Sequence, residues 1–211
     1  MRKYKFIFFI MALIAPLALL SCSESDDTVE EFPDWQNRNE TFFADIYSQG
    51  VANTDGTWKV IRSYTLEDTV QVEDHDHIVV KVLREGTGSG CPMYSDSVMI
   101  NYRGHLLPST SYPEGYVFDQ SFTGDYNPLT ASPATLYVGG TIDGFTTALQ
   151  YMHIGDYWRI YIPYQLGYRE SGSGSVPGYS TLVFDVELVA YYRAGETPLP
   201  WRVAPRGWVT E

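Results

Sequence analysis

Three stretches of this chain alternate apolar and polar residues with a period of two, and each must lay one face on a core. Ser97–Arg103 sets Val98, Ile100 and Tyr102 on one side and Met99, Asn101 and Arg103 on the other. Trp158–Ile162 groups Trp158, Ile160 and Ile162, and Leu182–Leu188 groups Leu182, Phe184, Val186 and Leu188. Successive side chains of a strand point to opposite faces, so the pattern predicts half-buried antiparallel strands. Ile78–Leu83 and Trp58–Tyr64 read as two more. One stretch departs from this period. In Thr141–Met152, the residues Ile142, Phe145, Thr146, Leu149 and Met152 recur at helical spacing. A single short amphipathic helix among strands predicts an α+β fold, with a curled antiparallel sheet wrapped on the helix.

Ahead of the strands, Pro33-Asp34 opens a second helical pattern over about 34–48. Asp34 stands at the capping position, Trp35, Phe42, Phe43, Ile46 and Tyr47 form an apolar face, and Gly50 supplies a stop. This helix either packs on the parent domain, the simpler reading, or serves in dimer formation, and the oligomeric state stays open. Asp74-His-Asp-His77 reads as an acidic turn, because adjacent residues at a strand entry cannot all face one ion. Cys91, between Gly90 and Pro92, reads as a partly buried small residue in a turn. Loops 105–116 and 122–133 are long for a compact domain, a length usually tied to function.

The N-terminus reads as an address. Met1–Lys5 is basic, and Phe6–Leu20 is an apolar run shorter than the ~20 residues of a membrane-spanning helix; together they form a secretory signal peptide over residues 1–21. Leu19-Leu20-Ser21-Cys22 resembles a bacterial lipobox, which makes Cys22 the lipidated residue and leaves Cys91 without a disulfide partner. Two acyl chains would anchor the chain stably in a membrane. The acidic residues after Cys22 are either a solvated tether or a surface-export signal. The expected location is the cell envelope, as an outer-membrane lipoprotein facing the periplasm or the surface. The formal net charge is −12, and it becomes −15 once the three cations of residues 1–21 are removed. So acidic a chain repels phosphate backbones, so nucleic acid is not an expected partner. The expected organisation is signal 1–21, acidic linker 22–31, a helix-and-strand extension 32–75, a main domain 76–192, and an irregular tail 193–211 whose tryptophans pack back on the body.

Six segments, in order, carry a family likeness. They are Val82–Gly88, Ile100–Gly104, Val117–Ser121, Val138–Phe145, Gly155–Pro163 and Thr181–Leu188. Together they resemble the FKBP-type peptidyl-prolyl cis-trans isomerases. The resemblance implies a five-stranded antiparallel sheet curled around one helix, with a shallow aromatic pocket between them for a proline ring. It places Tyr102, Phe118, Asp119, Phe145 and Tyr168 in catalytic positions, with Leu136, Thr141, Ile142, Val176 and Phe184 as substrate contacts. Asp119 is expected as a buried or half-buried carboxylate beside Tyr102. No metal and no cofactor are implied, and the implied partners are proline-containing polypeptides. Three residues depart from the family pattern: Arg169 where glycine is usual, Ala134 where an aromatic is common, and Phe145 where tryptophan is commoner. Two functions follow: an isomerase acting on exported proteins, or a binding or chaperone module on the same fold with weak or no catalysis.

Overall fold

The protein is described by a computed structural model. It describes residues 30–67, 69–196 and 208–209, the last two by their backbone. The expected signal peptide, Cys22 and most of the acidic linker lie outside the described residues. No described helix is long and apolar enough to cross a membrane.

Eight strands form one antiparallel sheet: β1 Trp58–Arg62, β2 His77–Arg84, β3 Ser97–His105, β4 Val117–Gln120, β5 Ala134–Tyr137, β6 Tyr157–Ile162, β7 Leu182–Tyr192 and β8 Trp208–Val209. The main order is β1-β2-β6-β7-β3-β4; β5 pairs with β3, and β8 with β7. The alternating stretches thus occupy the middle of the sheet, where both edges of each strand are hydrogen-bonded. Val98, Ile100, Trp158, Ile160, Ile162, Leu182, Val186 and Leu188 are fully buried on the inner side. The expected inward set holds even though β7 carries a bulge at Val189, opposite Met99 and Ile100 of β3. A bulge inserts one residue and bends the strand, which aids the curl of the sheet.

The concave face holds helix α2, Asp143–Leu149. It is shorter than the expected 141–152. Thr141 ends a 3-10 turn at Val138–Gly140, and Ile142 is in extended backbone as the N-cap residue. Phe145, Ala148, Leu149 and Met152 are buried against the strands.

Helix α1, Trp35–Ala52, packs on β1 and β2 of the same unit. Two details of its sequence reading are corrected. Asp34 does not cap with its side chain: its backbone is left-handed (φ 50°), and its Oδ2 accepts from Asn37 Nδ2 at 2.8 Å. Gly50 does not stop the helix, which runs to Ala52 and ends at Asn53 (φ 38°). Gly50 is instead a contact point. A Cβ there would lie 2.8 Å from Val79 Cγ1 and 2.9 Å from Val60 Cγ2. The helix is thus close enough to β1 and β2 that no side chain fits between them.

The extension is joined to the main domain through β1, which pairs with β2 over five residues, Trp58↔Lys81 to Arg62↔His77. Asp74–Asp76 forms a 3-10 turn whose ends are tied reciprocally by Glu73 and Asp76. In the tail, Trp208 and Val209 pair with Tyr192 and Tyr191.

Gly50→Ala is expected to destabilise the fold by roughly 1–3 kcal/mol, the usual cost of overpacking. A urea titration checks it, with the midpoint falling and the slope unchanged.

Candidate active site

The sheet and α2 part at one end to leave a cavity of about 270 Å³. Its lining draws on six places in the chain: Tyr102 from β3, Asp119 from β4, Leu136 from β5, Gly140, Thr141, Ile142 and Phe145 at the entry to α2, Tyr168 from the connection between β6 and β7, and Phe184 from β7. Eight of the ten expected site residues line this space: Tyr102, Asp119, Leu136, Thr141, Ile142, Phe145, Tyr168 and Phe184.

The bottom of the cavity is aromatic. Phe145 and Phe184 meet edge to face with ring centroids 4.8 Å apart, and Tyr102 meets Phe145 at 6.3 Å. All three are buried. Such edge-to-face contacts fix ring orientation in addition to burying area. Phe118 does not line the cavity. Its ring meets Phe184 edge to face, with centroids 5.4 Å apart. Val176 is buried in the core cluster, also outside the lining. Gly140 is a lining residue that the sequence reading did not single out; nothing in its residue type marks a cavity rim.

Two hydroxyls and a carboxylate define the polar side. The Tyr102 hydroxyl donates to Asp119 Oδ2 at 2.9 Å. Asp119 is exposed, which corrects the expectation of a buried or half-buried group. The reason is topological: β4 is a four-residue strand at the sheet edge, paired only with β3. Burial pushes the Tyr102 hydroxyl well above its usual pKa, and the hydrogen bond to Asp119 adds to this. Burial also raises Tyr168, with the Asp119 charge in support. Both are therefore neutral donors at physiological pH. Among the described residues, nothing accepts a hydrogen bond from Tyr168, so its hydroxyl is available to a ligand.

The flap after Tyr168 is braced from the extension. Trp35 Nε1 donates to Ser180 Oγ at 2.9 Å, and Ser180 donates to Pro177 O at 2.7 Å. Thr181 N donates to Asn39 Oδ1 at 2.8 Å. Asn39, Ser180 and Thr181 are all buried. On the opposite side, Arg38 reaches Pro108 O at 2.7 Å, and Glu31 accepts from Ser109 and Ser111 of loop 105–116. None of these polar pairs was foreseen, since their members are far apart in sequence.

Arg169 adopts φ 57°, the left-handed region where a side chain is strained. Its N–H donates to Tyr164 O at 2.8 Å, and its carbonyl accepts from Tyr179 N at 3.0 Å. The turn into the flap is thus made with the geometry that glycine favours, by a residue that is not glycine.

The site has an aromatic base and a polar side made by two tyrosine hydroxyls and a carboxylate. Comparison with known proteins agrees with that description. Residues 89–189 match the family model described as FKBP-type peptidyl-prolyl cis-trans isomerase. That stretch of the chain resembles an FKBP-type domain. An Escherichia coli protein named FKBP-type 22 kDa peptidyl-prolyl cis-trans isomerase is 38% identical over 110 residues, covering 52% of this chain and 47% of that protein. The Legionella longbeachae outer membrane protein MIP is 33% identical over 115 residues, covering 54% and 44%. The chain thus spans about half the length of these relatives. A crystal structure of a peptidyl-prolyl cis-trans isomerase from Pseudomonas syringae aligns with a TM-score of 0.53 and 27% identity, over 74% of this chain and 92% of that one. Every residue that lines the cavity falls within the matched stretch 89–189, whereas the brace residues Trp35 and Asn39 lie before it.

Arg169→Gly is expected to raise stability by up to about 1 kcal/mol, because left-handed strain of roughly that size is relieved. The Arg169–Asp143 pair that it removes is exposed, at 3.5 Å, and is worth little. A thermal melt reads the change. The raised tyrosines also set an alkaline limit. A tyrosine whose folded pKa lies above its unfolded value costs no stability below pH ~10, and stability falls as pH rises above that, when only the unfolded state ionises. Tyr102→Phe is expected to lose less stability than the parent between pH ~10 and ~11, measured by urea unfolding at each pH.

Proposed function

We propose that this chain is a peptidyl-prolyl cis-trans isomerase that rotates X-Pro bonds in exported proteins without forming any covalent intermediate. The observation that supports the reading best is the cavity itself: three packed aromatic rings at its base, with the unpartnered Tyr168 hydroxyl at its rim. Rotation about an X-Pro bond is opposed by a barrier of ~18–20 kcal/mol from amide resonance, and uncatalysed exchange takes ~10–100 s. A catalyst need only bind the twisted amide better than either planar isomer. Twisting weakens the carbonyl dipole, so the twisted form tolerates a dry aromatic site better than the planar one does.

In this reading Phe145 is the floor against which the proline ring rests. Phe184 is a wall, met edge to face by Phe118, and Ile142 and Leu136 are aliphatic contacts. Tyr168 donates to a substrate carbonyl, and Thr141 lies at the rim. Val176 acts from behind the cavity by supporting the flap. Asp119 orients Tyr102 and places negative charge beside the cavity, where it polarises the bound amide. No proton is transferred, so no residue acts as general acid or base.

We place the protein in the cell envelope, with Cys22 carrying the lipid. The reading rests on the basic start, the short apolar run and Ser21-Cys22, together with the envelope name of the Legionella relative. The partners are then proline-containing polypeptides crossing or folding in that compartment, which is consistent with an exposed cavity and a chain too acidic to favour nucleic acid.

An Ala-Leu-Pro or Ala-Phe-Pro test peptide is expected to isomerise faster with the full chain present. Asp119→Ala is expected to lower kcat/KM by about tenfold, the scale of one lost hydrogen bond to a charge, and Phe145→Ala by more. Phe145 is buried, so Phe145→Leu is the companion that keeps most of the volume. Exchange indistinguishable from the uncatalysed rate would leave the binding or chaperone reading in its place.

A further inference from the structure

Three tyrosines from separate parts of the chain stand in a row beside the cavity. Tyr64 follows β1, Tyr94 precedes β3, and Tyr137 ends β5. Tyr64 and Tyr94 have ring centroids 5.6 Å apart, and Tyr94 and Tyr137 6.3 Å. They are 39%, 45% and 50% exposed, so each presents much of its ring to solvent while touching the next. A run of large aromatics left in contact with water is a mark of a binding surface. None of the three belongs to the buried core clusters.

The row is continuous with the cavity. Gly140 lines the cavity, and a Cβ on it would lie 3.2 Å from Tyr137 Cδ1. The Tyr94 hydroxyl donates to Gly139 O at 3.4 Å, one residue before the rim. At the other end, the Tyr64 hydroxyl faces the Asp143 carboxylate. Asp143 opens α2 and pairs with Arg169, the residue after Tyr168. Whatever leaves the cavity across the rim at 140–143 therefore meets this row.

We infer that Tyr64, Tyr94 and Tyr137 form an extended subsite for the polypeptide substrate, favouring apolar side chains at alternate positions beside the X-Pro bond. The inference rests on the isomerase reading above. Spacing supports it. Alternate residues of an extended strand lie on one face about 6.6–6.8 Å apart, close to the two ring separations of 5.6 and 6.3 Å. An extended chain can thus set successive same-side residues against successive rings, and tyrosine offers such contact at low cost in side-chain entropy. The hydroxyls leave the surface wettable when empty. Four of the cavity's own contacts are aromatic, so the row adds reach along the chain and does not duplicate the proline site.

The test uses three peptides: a tetrapeptide, and two of about twelve residues that share a central X-Pro bond, one with leucine and one with serine at alternate flanking positions. With the full chain, kcat/KM is expected to favour the leucine peptide over the serine peptide by about tenfold. In the triple variant Tyr64→Ser, Tyr94→Ser, Tyr137→Ser that ratio is expected to fall to near one, with tetrapeptide turnover within about twofold of the parent. The matching Tyr→Phe triple variant keeps the ratio, since the rings and not the hydroxyls carry it. A parent ratio near one, or a ratio that survives the serine substitutions, overturns the inference. Should the parent turn over no peptide, the isomerase reading fails separately, and fluorescence anisotropy of the two long peptides reads the same ratio as affinity. Binding of a cello-oligosaccharide that the serine variant loses, without any leucine preference, would assign the row to sugars and overturn it as well.

Discussion

The close approach of α2 to the sheet is the constraint on which the cavity depends. At Gly144 a Cβ would fall 2.4 Å from Ile162 Cγ2 and 3.2 Å from Ile78 Cγ2, so the helix backbone rests directly on the side chains of Ile162 in β6 and Ile78 in β2. That contact sets the depth at which the next residue, Phe145, enters the concave face. Phe145 then meets Tyr102 from β3 and Phe184 from β7, and the cavity is the space left above those rings. A larger residue at 144 would lift the helix and the floor together, because interiors pack densely and transmit strain.

The convex side of the sheet is held by a different kind of contact. Glu187 of β7 is buried there and accepts from Arg84 of β2, from Asn101 of β3 at 3.0 Å, and from Tyr126 of loop 122–133. Tyr126 also stacks on Tyr157 at 5.2 Å. A buried carboxylate is tolerated only when its oxygens are satisfied, and here two other strands and a loop satisfy it. The long loop is thereby fastened to the back of the strands whose inner faces build the cavity. Its length serves packing at this point, whatever else it serves.

How much could be read beforehand follows from how local each signal is. The central strands were legible because the period of two is carried by neighbouring residues, and the middle of the sheet buries the side chains that alternation points inward. The cavity lining was legible through the family likeness, which put Tyr102, Asp119, Phe145 and Tyr168 together although periodicity alone would have called each aromatic core. The exposure of Asp119 was not legible, because it depends on β4 being an edge. Nor was the part played by Gly50: a glycine near a helix end reads as a stop, and only the positions of Val60 and Val79 show it to be a contact. The brace between α1 and the flap was out of reach, since Trp35 and Ser180 are 145 residues apart, and Asn39 and Thr181 are 142 apart.

Those separations bear on how the molecule comes together. Loop-closure entropy makes contacts between distant segments costly until the intervening chain is ordered. Helix α1 is synthesised well before the residues it braces, which directly precede β7. The flap that carries Tyr168 and Val176 is therefore held only once both ends of the described chain have met. Ordering of the Tyr168 side of the cavity thus waits on contacts between segments far apart in the chain.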